Sequence, residues 1–394
     1  MEKPEIFMAP GPVPVPPQVL QAQSQPLVYH RGPGYGKLLR EVTEQLQRLF
    51  RTTNDVLVFT SSGTGALESA VQNMFSPGDR VVVPVAGYFG ERFAAIAIAY
   101  GLDVRTIDYE WGRALKSEDV RAAVEEAPTR GILVQQSETS TAVLHDIEAV
   151  GQVARDTGVL LAVDCVSSVG AVPFECDQWG VDVACGGSQK ALSMSPGLAF
   201  VAVSPKAWEA HAAATCPRFY FDWSAYKASY DLPDPENPWT PAISLVQGLK
   251  VALELYFADG ADAAIERHRV LAIGVKEGVR ALGLDLFGDN AELAWAVTAI
   301  RAPEGIDGNQ LVARVRAEHG IVLAPGQGPL KGKVFRIGHL GYYDQLDMIR
   351  GLAALEMTLD GMGYPVKRGS AVAAAQEVFA SERAKAAQRG PGTA

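Results

Sequence analysis

The sequence predicts an α/β fold: a large domain on a mainly parallel seven-stranded sheet, followed by a smaller α+β C-terminal domain. Three observations predict it. Seven short apolar, β-branched runs recur between Val56 and Ser204, longer helix-period stretches separate most of them, and the rhythm changes after Pro205. Parallel neighbours need a long crossover connection, so repeated strand–helix–strand units place helices on both faces of one sheet.

VLVFT (Val56–Thr60) is the first strand. Ala66, Leu67, Ala70, Val71 and Met74 then fall on one helical face until Ser76-Pro77-Gly78 breaks the pattern. RVVVPV, from Arg80, is the second strand, with a helix over Glu91–Tyr100 behind it. DVRTIDY, SEDVRAAVEEA, GILVQQ, HDIEAVGQVARDTG and VLLAVDCV continue the alternation. VDVACGGS and GLAFVAVS complete the seven strands, apolar nearly throughout, as strands covered on both faces are.

Beyond Pro205, the stretch FYFDWSAYKASYDLPDPENPWTP has little periodicity and reads as a long functional loop over residues 219–239. A long helical region from Ile243 to about Leu282 leads into a smaller unit. There WAVTAIRA, IVLAPG and VFRIGHLG read as strands, and NQLVARVRAEHG and DQLDMIRGLAALEMTL as helices. The expected division is an N-terminal arm (1–20), a large domain (21–258), a small domain (259–370), and an Ala-rich helix with a disordered tail (371–394). No internal repeat is present.

Composition narrows the class. A net charge of -10 with no basic run leaves no electrostatic footprint for nucleic acid. No run of 18 apolar residues exists to span a membrane, and the N-terminus lacks the apolar core of a signal peptide, so the cytoplasm is expected. Cys165, Cys176, Cys185 and Cys216 lack metal-ligand spacing and read as reduced, mostly buried thiols; no metal is expected.

Three constellations sit at strand ends, where an α/β sheet collects its ligands. The turn Ser61-Ser62-Gly63-Thr64-Gly65 follows a strand and opens a helix, so free N–H groups and small hydroxyls face one point. A phosphate fits such a turn, and a simple Ser/Thr cap is the alternative. It matches neither GxGxxG nor GxxxxGK[ST], which argues against dinucleotide and P-loop binding. Asp164 ends the apolar LLAVD strand; a carboxylate there either holds a pyridine nitrogen protonated or caps the next turn. Lys190, in Gly186-Gly187-Ser188-Gln189-Lys190, is a lysine in apolar surroundings whose lowered pKa would make it a nucleophilic amine, with a surface loop lysine as the alternative. Phosphate, ring nitrogen and aldehyde of one molecule need these three partners together. The combination selects pyridoxal 5'-phosphate (PLP).

The motifs APGP, SSGTGALESAV, AGYFGERF, SETSTAV, VDCVSSVGA, GVDVACGGSQKAL, SPGLAFVAVS and VFRIGHLG resemble the class V, fold type I PLP-dependent aminotransferases, particularly the alanine-glyoxylate and serine-glyoxylate (serine-pyruvate) branch. The resemblance covers residues 8 to 360 approximately and is most specific at Gly186–Gly197. It implies the PLP-transferase fold and a homodimer with shared active sites. Lys190 would carry the cofactor as a Schiff base and Asp164 would pair with the ring nitrogen. Ser62, Gly63, Thr64 and Gln189 would hold the phosphate. Phe89 would stack on one ring face, Val166 would pack on the other, and Thr139 would meet the phenolic oxygen. Arg336 would grip the substrate carboxylate, and Thr240 would reach the phosphate from the other subunit. His30-Arg31 lies in a segment that approaches the neighbouring site in relatives; the remaining histidines show no ligand spacing.

The function implied is ping-pong transfer of an amino group from alanine or serine to glyoxylate or pyruvate. Transamination of pyridoxamine or 2-aminoethylphosphonate is the alternative within the family. A cysteine desulfurase would need a thiol on a loop in the C-terminal half, yet no cysteine follows Cys216. A non-catalytic, nucleotide-binding doubly wound protein would lack a reason for the three constellations.

Overall fold

In a computed structural model describing residues 5–389, seven strands form one sheet in the order Asp55–Thr60, Leu198–Val203, Val183–Gly187, Leu160–Asp164, Gly131–Gln135, Arg80–Val85, Asp103–Asp108. Leu198–Val203 is antiparallel to both its neighbours, and the other pairings are parallel. Six strands therefore end on the same side of the molecule. Alternation fills both faces: Val82, Ile132, Val134, Leu161 and Val163 point into one helical layer, while Val81, Val83, Leu133, Leu160 and Ala162 point into the other. Each such side chain contributes roughly 1.5–3 kcal/mol on burial, so the β-branched runs could not be solvent-facing strands.

The crossover helices start where local chemistry permits. Ile147–Thr157 is capped by the Asp146 side chain on the Ala149 N–H, and Gly158 ends it in a left-handed conformation. Three expectations need correction. The aromatic stretch expected as a loop contains the helix Trp223–Tyr230. Asp222 caps it, Trp223 donates to Ser69 Oγ at 2.7 Å, and the Tyr226 ring packs edge-on against Phe59. Only Trp223 and Tyr226 are buried in its eight residues, too few to register as a period. The long helical region after Ile243 is two helices, Ile243–Tyr256 and Ala261–Ala281, interrupted at Gly260.

The C-terminal part has a three-stranded antiparallel sheet with Val334–Gly338 between Val297–Arg301 and Ala324–Pro325. The expected single strand over IVLAPG is split: Ala324–Pro325 joins this sheet, whereas Ile321–Val322 pairs in parallel with Ile6–Phe7 of the N-terminal arm. Ala261–Ala281, Gly308–His319, Gln345–Gly361 and Ser370–Arg389 pack around one core that includes Leu271, Leu311, Phe335, Leu355 and Phe379. Of the expected tail, residues 390–394 lie outside the described residues.

The arm then crosses toward the large sheet. The Gly338 N–H donates to the Met8 carbonyl at 2.6 Å, and the Lys190 amine donates to the Pro10 carbonyl at 2.5 Å. Gly11, at φ 124°, is required there: a Cβ on it would lie 2.7 Å from Lys190 Nζ. One short segment thus ties the Lys190 loop to the strand that carries Arg336.

Candidate active site

A cavity of ≈ 260 Å³ opens at the shared strand ends. Asp164 is the last residue of its strand, Lys190 lies three residues beyond Gly187, and Phe89 opens the helix Tyr88–Ala99 after Arg80–Val85. Ser62, Gly63, Thr64, Phe89, Thr139, Asp164, Val166, Gln189 and Lys190, all named from sequence, line this one cavity. A larger cavity, ≈ 570 Å³ around Trp111 and Phe287, holds none of them.

Electrostatics divide the lining. Burial raises the Asp164 carboxyl to about 6, against the Val166 N–H that it accepts at 3.0 Å and the charges of Lys190 and Arg92. Burial lowers the Lys190 amine to about 8; Asp164 opposes this, whereas Arg336 and Arg92 add to it. A buried acid and a half-buried base therefore share a small space, each held near the pH at which it changes charge.

At the opposite end, Gly63 begins the helix Gly63–Met74, and the first N–H groups of a helix have no carbonyl partner within it. Ser62, in the N-cap position, makes no side-chain cap bond, which removes the simple capping role as the use of its hydroxyl. A Cβ at Gly63 would meet Val166 Cγ2 at 2.6 Å, so only glycine lets the turn approach the Val166 wall. Gln189 Oε1 is buried without a partner among the described residues. That amide, turned over, offers N–H donors to an anion. An unpaired polar atom beside a glycine turn with free donors fits a phosphate, and the acid–lysine pair fits the ring nitrogen and aldehyde.

Arg336 and Thr240 do not line the cavity. Arg336 is 5 % exposed and donates to the Thr139 carbonyl (2.9 Å) and to the Pro325 carbonyl (2.9 and 3.3 Å). Burial lowers its pKa to about 10 against the charge of Glu138, so it stays protonated. Its contact with Thr139 places it directly behind the cavity wall. Thr240 is exposed on the chain's surface, and His30-Arg31 lies away from the cavity, with Arg31 paired to Glu236.

Two residues escaped the sequence reading. Glu138 is fully buried and accepts from the N–H groups of Phe89 (3.0 Å), Gly90 (3.1 Å) and Ser140 (3.1 Å), from the Ser140 hydroxyl, and from Gln135 Nε2 (3.2 Å). Burial nonetheless raises its pKa. Arg92 lines the cavity and donates to Thr64 Oγ1 at 3.2 Å. Signals existed for both. Glu138 is an acid just beyond an apolar strand, like Asp164, and Arg92 is three residues from Phe89 on the same helical face.

The sequence model of the family described as Aminotransferase class-V matches residues 11–334. The chain belongs to the class V aminotransferases. This enzyme is 39 % identical over 386 residues to a soluble hydrogenase small subunit of Synechococcus sp. (strain PCC 6716), covering 97 % of this chain and 100 % of that one. It is 38 % identical over 376 residues to a serine–glyoxylate aminotransferase of Arabidopsis thaliana, covering 94 % of each. The solved structure of an alanine–glyoxylate aminotransferase from Nostoc sp. superposes with a TM-score of 0.88 at 33 % identity, over 91 % of this chain and 96 % of that one. The aminotransferase therefore has the fold type I architecture and the PLP dependence of its family.

Proposed function

We propose that this aminotransferase moves the amino group of alanine or serine to glyoxylate or pyruvate by a ping-pong reaction in the ≈ 260 Å³ cavity. The observation that carries the reading is the convergence there of Lys190, Asp164 and the Ser62–Thr64 turn. Both named aminotransferase relatives have glyoxylate in their names, one with serine and the other with alanine.

When bound, PLP supplies an aldehyde that condenses with amines and a ring that draws electrons from the substrate α-carbon. Lys190 would hold the cofactor covalently, and its amine, when free, would serve as the base for the substrate α-proton. Its lowered pKa leaves part of it neutral at neutral pH. Asp164 would hold a proton on the ring nitrogen. Phe89 and Val166 would bracket the ring, Thr139 would meet the phenolic oxygen, and Ser62, Gly63, Thr64 and Gln189 would hold the phosphate. Arg336 receives the substrate carboxylate. Three of its five N–H donors engage carbonyls, which leaves one on each terminal nitrogen, the pair a bidentate carboxylate uses.

A homodimer completes the assignment, with the exposed Thr240 of one subunit serving the phosphate of the other. The arm, large domain, small domain and C-terminal helix divide near residues 20, 258 and 370, and the cytoplasm is the proposed compartment. A hydrogenase reading, suggested by the Synechococcus relative's name, has no donor set behind it: among the described residues no three His, Cys, Asp or Glu side chains are grouped to hold a metal ion. The test is a half-reaction matrix with alanine, serine, 2-aminoethylphosphonate and pyridoxamine as donors and glyoxylate and pyruvate as acceptors. Turnover confined to the last two donors would overturn the substrate assignment.

A further inference from the structure

The charge around the cavity is not balanced for the cofactor it is proposed to hold. Its lining contains one acid, Asp164, and two bases, Lys190 and Arg92. Asp164 and Lys190 face each other's charge, and both have work at the ring. Arg92 also acts on Asp164, but more weakly than Lys190 does, and it forms no ion pair: among the described residues no carboxylate lies within ion-pair distance of it. It is nevertheless held in place. Its guanidinium lies 5.0 Å from the Phe89 ring centre and 5.1 Å from that of Tyr88, and it donates to Thr64 Oγ1 at 3.2 Å. A cation secured on two ring faces loses side-chain freedom without being neutralised.

The phosphate end needs such a charge. A phosphate monoester carries about −1.5 to −2 at neutral pH, whereas a helix N-terminus supplies only about half a positive charge. Hydroxyls and amides add donors without charge. The Arg92 contact also directs the nearest hydroxyl: because Thr64 Oγ1 accepts from Arg92, its own O–H is free to donate toward the anion. The same guanidinium thus charges the turn and orients a donor in it.

We propose that Arg92 is the charge partner of the cofactor phosphate, acting beside Ser62, Gly63 and Thr64 as a cation clamped on the rings of Tyr88 and Phe89. The inference rests on the PLP reading above. It also makes the stacking face and the phosphate turn one unit, since Phe89 and Arg92 lie one turn apart on the same helix.

The test uses the apoenzyme and two aldehydes, PLP and pyridoxal, which differ only in the phosphate. Binding is followed by titration in the absence of substrate. Arg92→Gln should weaken PLP about 10- to 100-fold, the loss of a charge-assisted hydrogen bond, while leaving pyridoxal affinity within about twofold. Arg92→Lys, which keeps the charge, should recover most of the PLP affinity. Inorganic phosphate should compete with PLP less well in Arg92→Gln than in the wild type. Equal loss for both aldehydes would reduce Arg92 to a structural role, and unchanged PLP affinity with a raised KM for the amino acid would assign it to the substrate carboxylate; either overturns the proposal. Failure of the wild-type apoenzyme to bind either aldehyde would instead overturn the PLP reading itself.

Discussion

The carboxylate of Glu138 accepts the backbone N–H of Phe89 at 3.0 Å, so an acid buried beyond one strand fixes the first turn of the helix behind the next. The acid receives five donors and is enclosed on all sides. Glu138→Gln keeps the shape but turns an N–H₂ toward some of those donors. It should lower unfolding stability by roughly 1–3 kcal/mol, the usual cost of an unsatisfied buried group. Thermal or urea unfolding of the apoenzyme measures this, and an unchanged midpoint would contradict the clamp.

Lys190 should be the single point of covalent attachment. Borohydride treatment of the PLP-loaded wild type should add the mass of the reduced cofactor to the peptide containing Lys190, and Lys190→Ala should remain unmodified while still folding. Modification elsewhere in the variant, at wild-type stoichiometry, would remove Lys190 from its role.

The lowered pKa of Lys190 sets a pH dependence. At about 8, roughly a tenth of the amine is neutral at pH 7, against about one part in a few thousand for an ordinary lysine. Association of PLP with the apoenzyme should quicken as pH rises from 6 and level off above about 8. A rate still climbing steeply at pH 10 would mean an unperturbed amine.

Asp164 gives a stability effect of opposite sense. Its folded pKa is about 6, above the unfolded value of about 3.9. The folded state therefore binds the extra proton between these values, and the stability this supplies at low pH is lost as pH rises from about 4 to 6. Asp164→Asn keeps the acceptor for the Val166 N–H and has no charge to bury. The variant apoenzyme should melt above the wild type at pH 8 and level with it near pH 4, while transamination falls. A variant that melts below the wild type at pH 8 would show that Asp164 is net stabilising.

Arg336→Lys retains the charge but not the fork. The expected outcome is a KM for the amino donor raised about tenfold or more, with PLP affinity unchanged, because Arg336 is not among the groups assigned to the cofactor. Equal weakening of PLP would place it in cofactor binding instead.

Much of this was legible from residue order. Strand and helix periods located the seven strands of the large sheet, because strands buried on both faces must be apolar throughout and their crossovers must be amphipathic. The chemistry at strand ends was legible as well: a carboxylate at position 164 and a lysine at 190 break apolar runs where a purely structural chain would continue them. Arg92 and Glu138 carry only faint local signals, a position one turn beyond Phe89 and an acid just past an apolar strand; what gives each its place is a contact across the fold.

By itself, then, the order of residues determined the layered sheet, the turn at residues 62–64, and which acid and which amine would meet. Local period and residue chemistry are properties of adjacent positions, so they need no knowledge of distant ones. Tertiary structure alone decided that the aromatic stretch after Phe219 folds a helix onto Phe59, that the IVLAPG run divides between two sheets, and that the arm brings Pro10 to Lys190. Apart from the pairing of Ala324–Pro325 with nearby Phe335 and Arg336, these depend on partners more than a hundred residues away, and burial against such partners outweighs the weak preferences of a short segment.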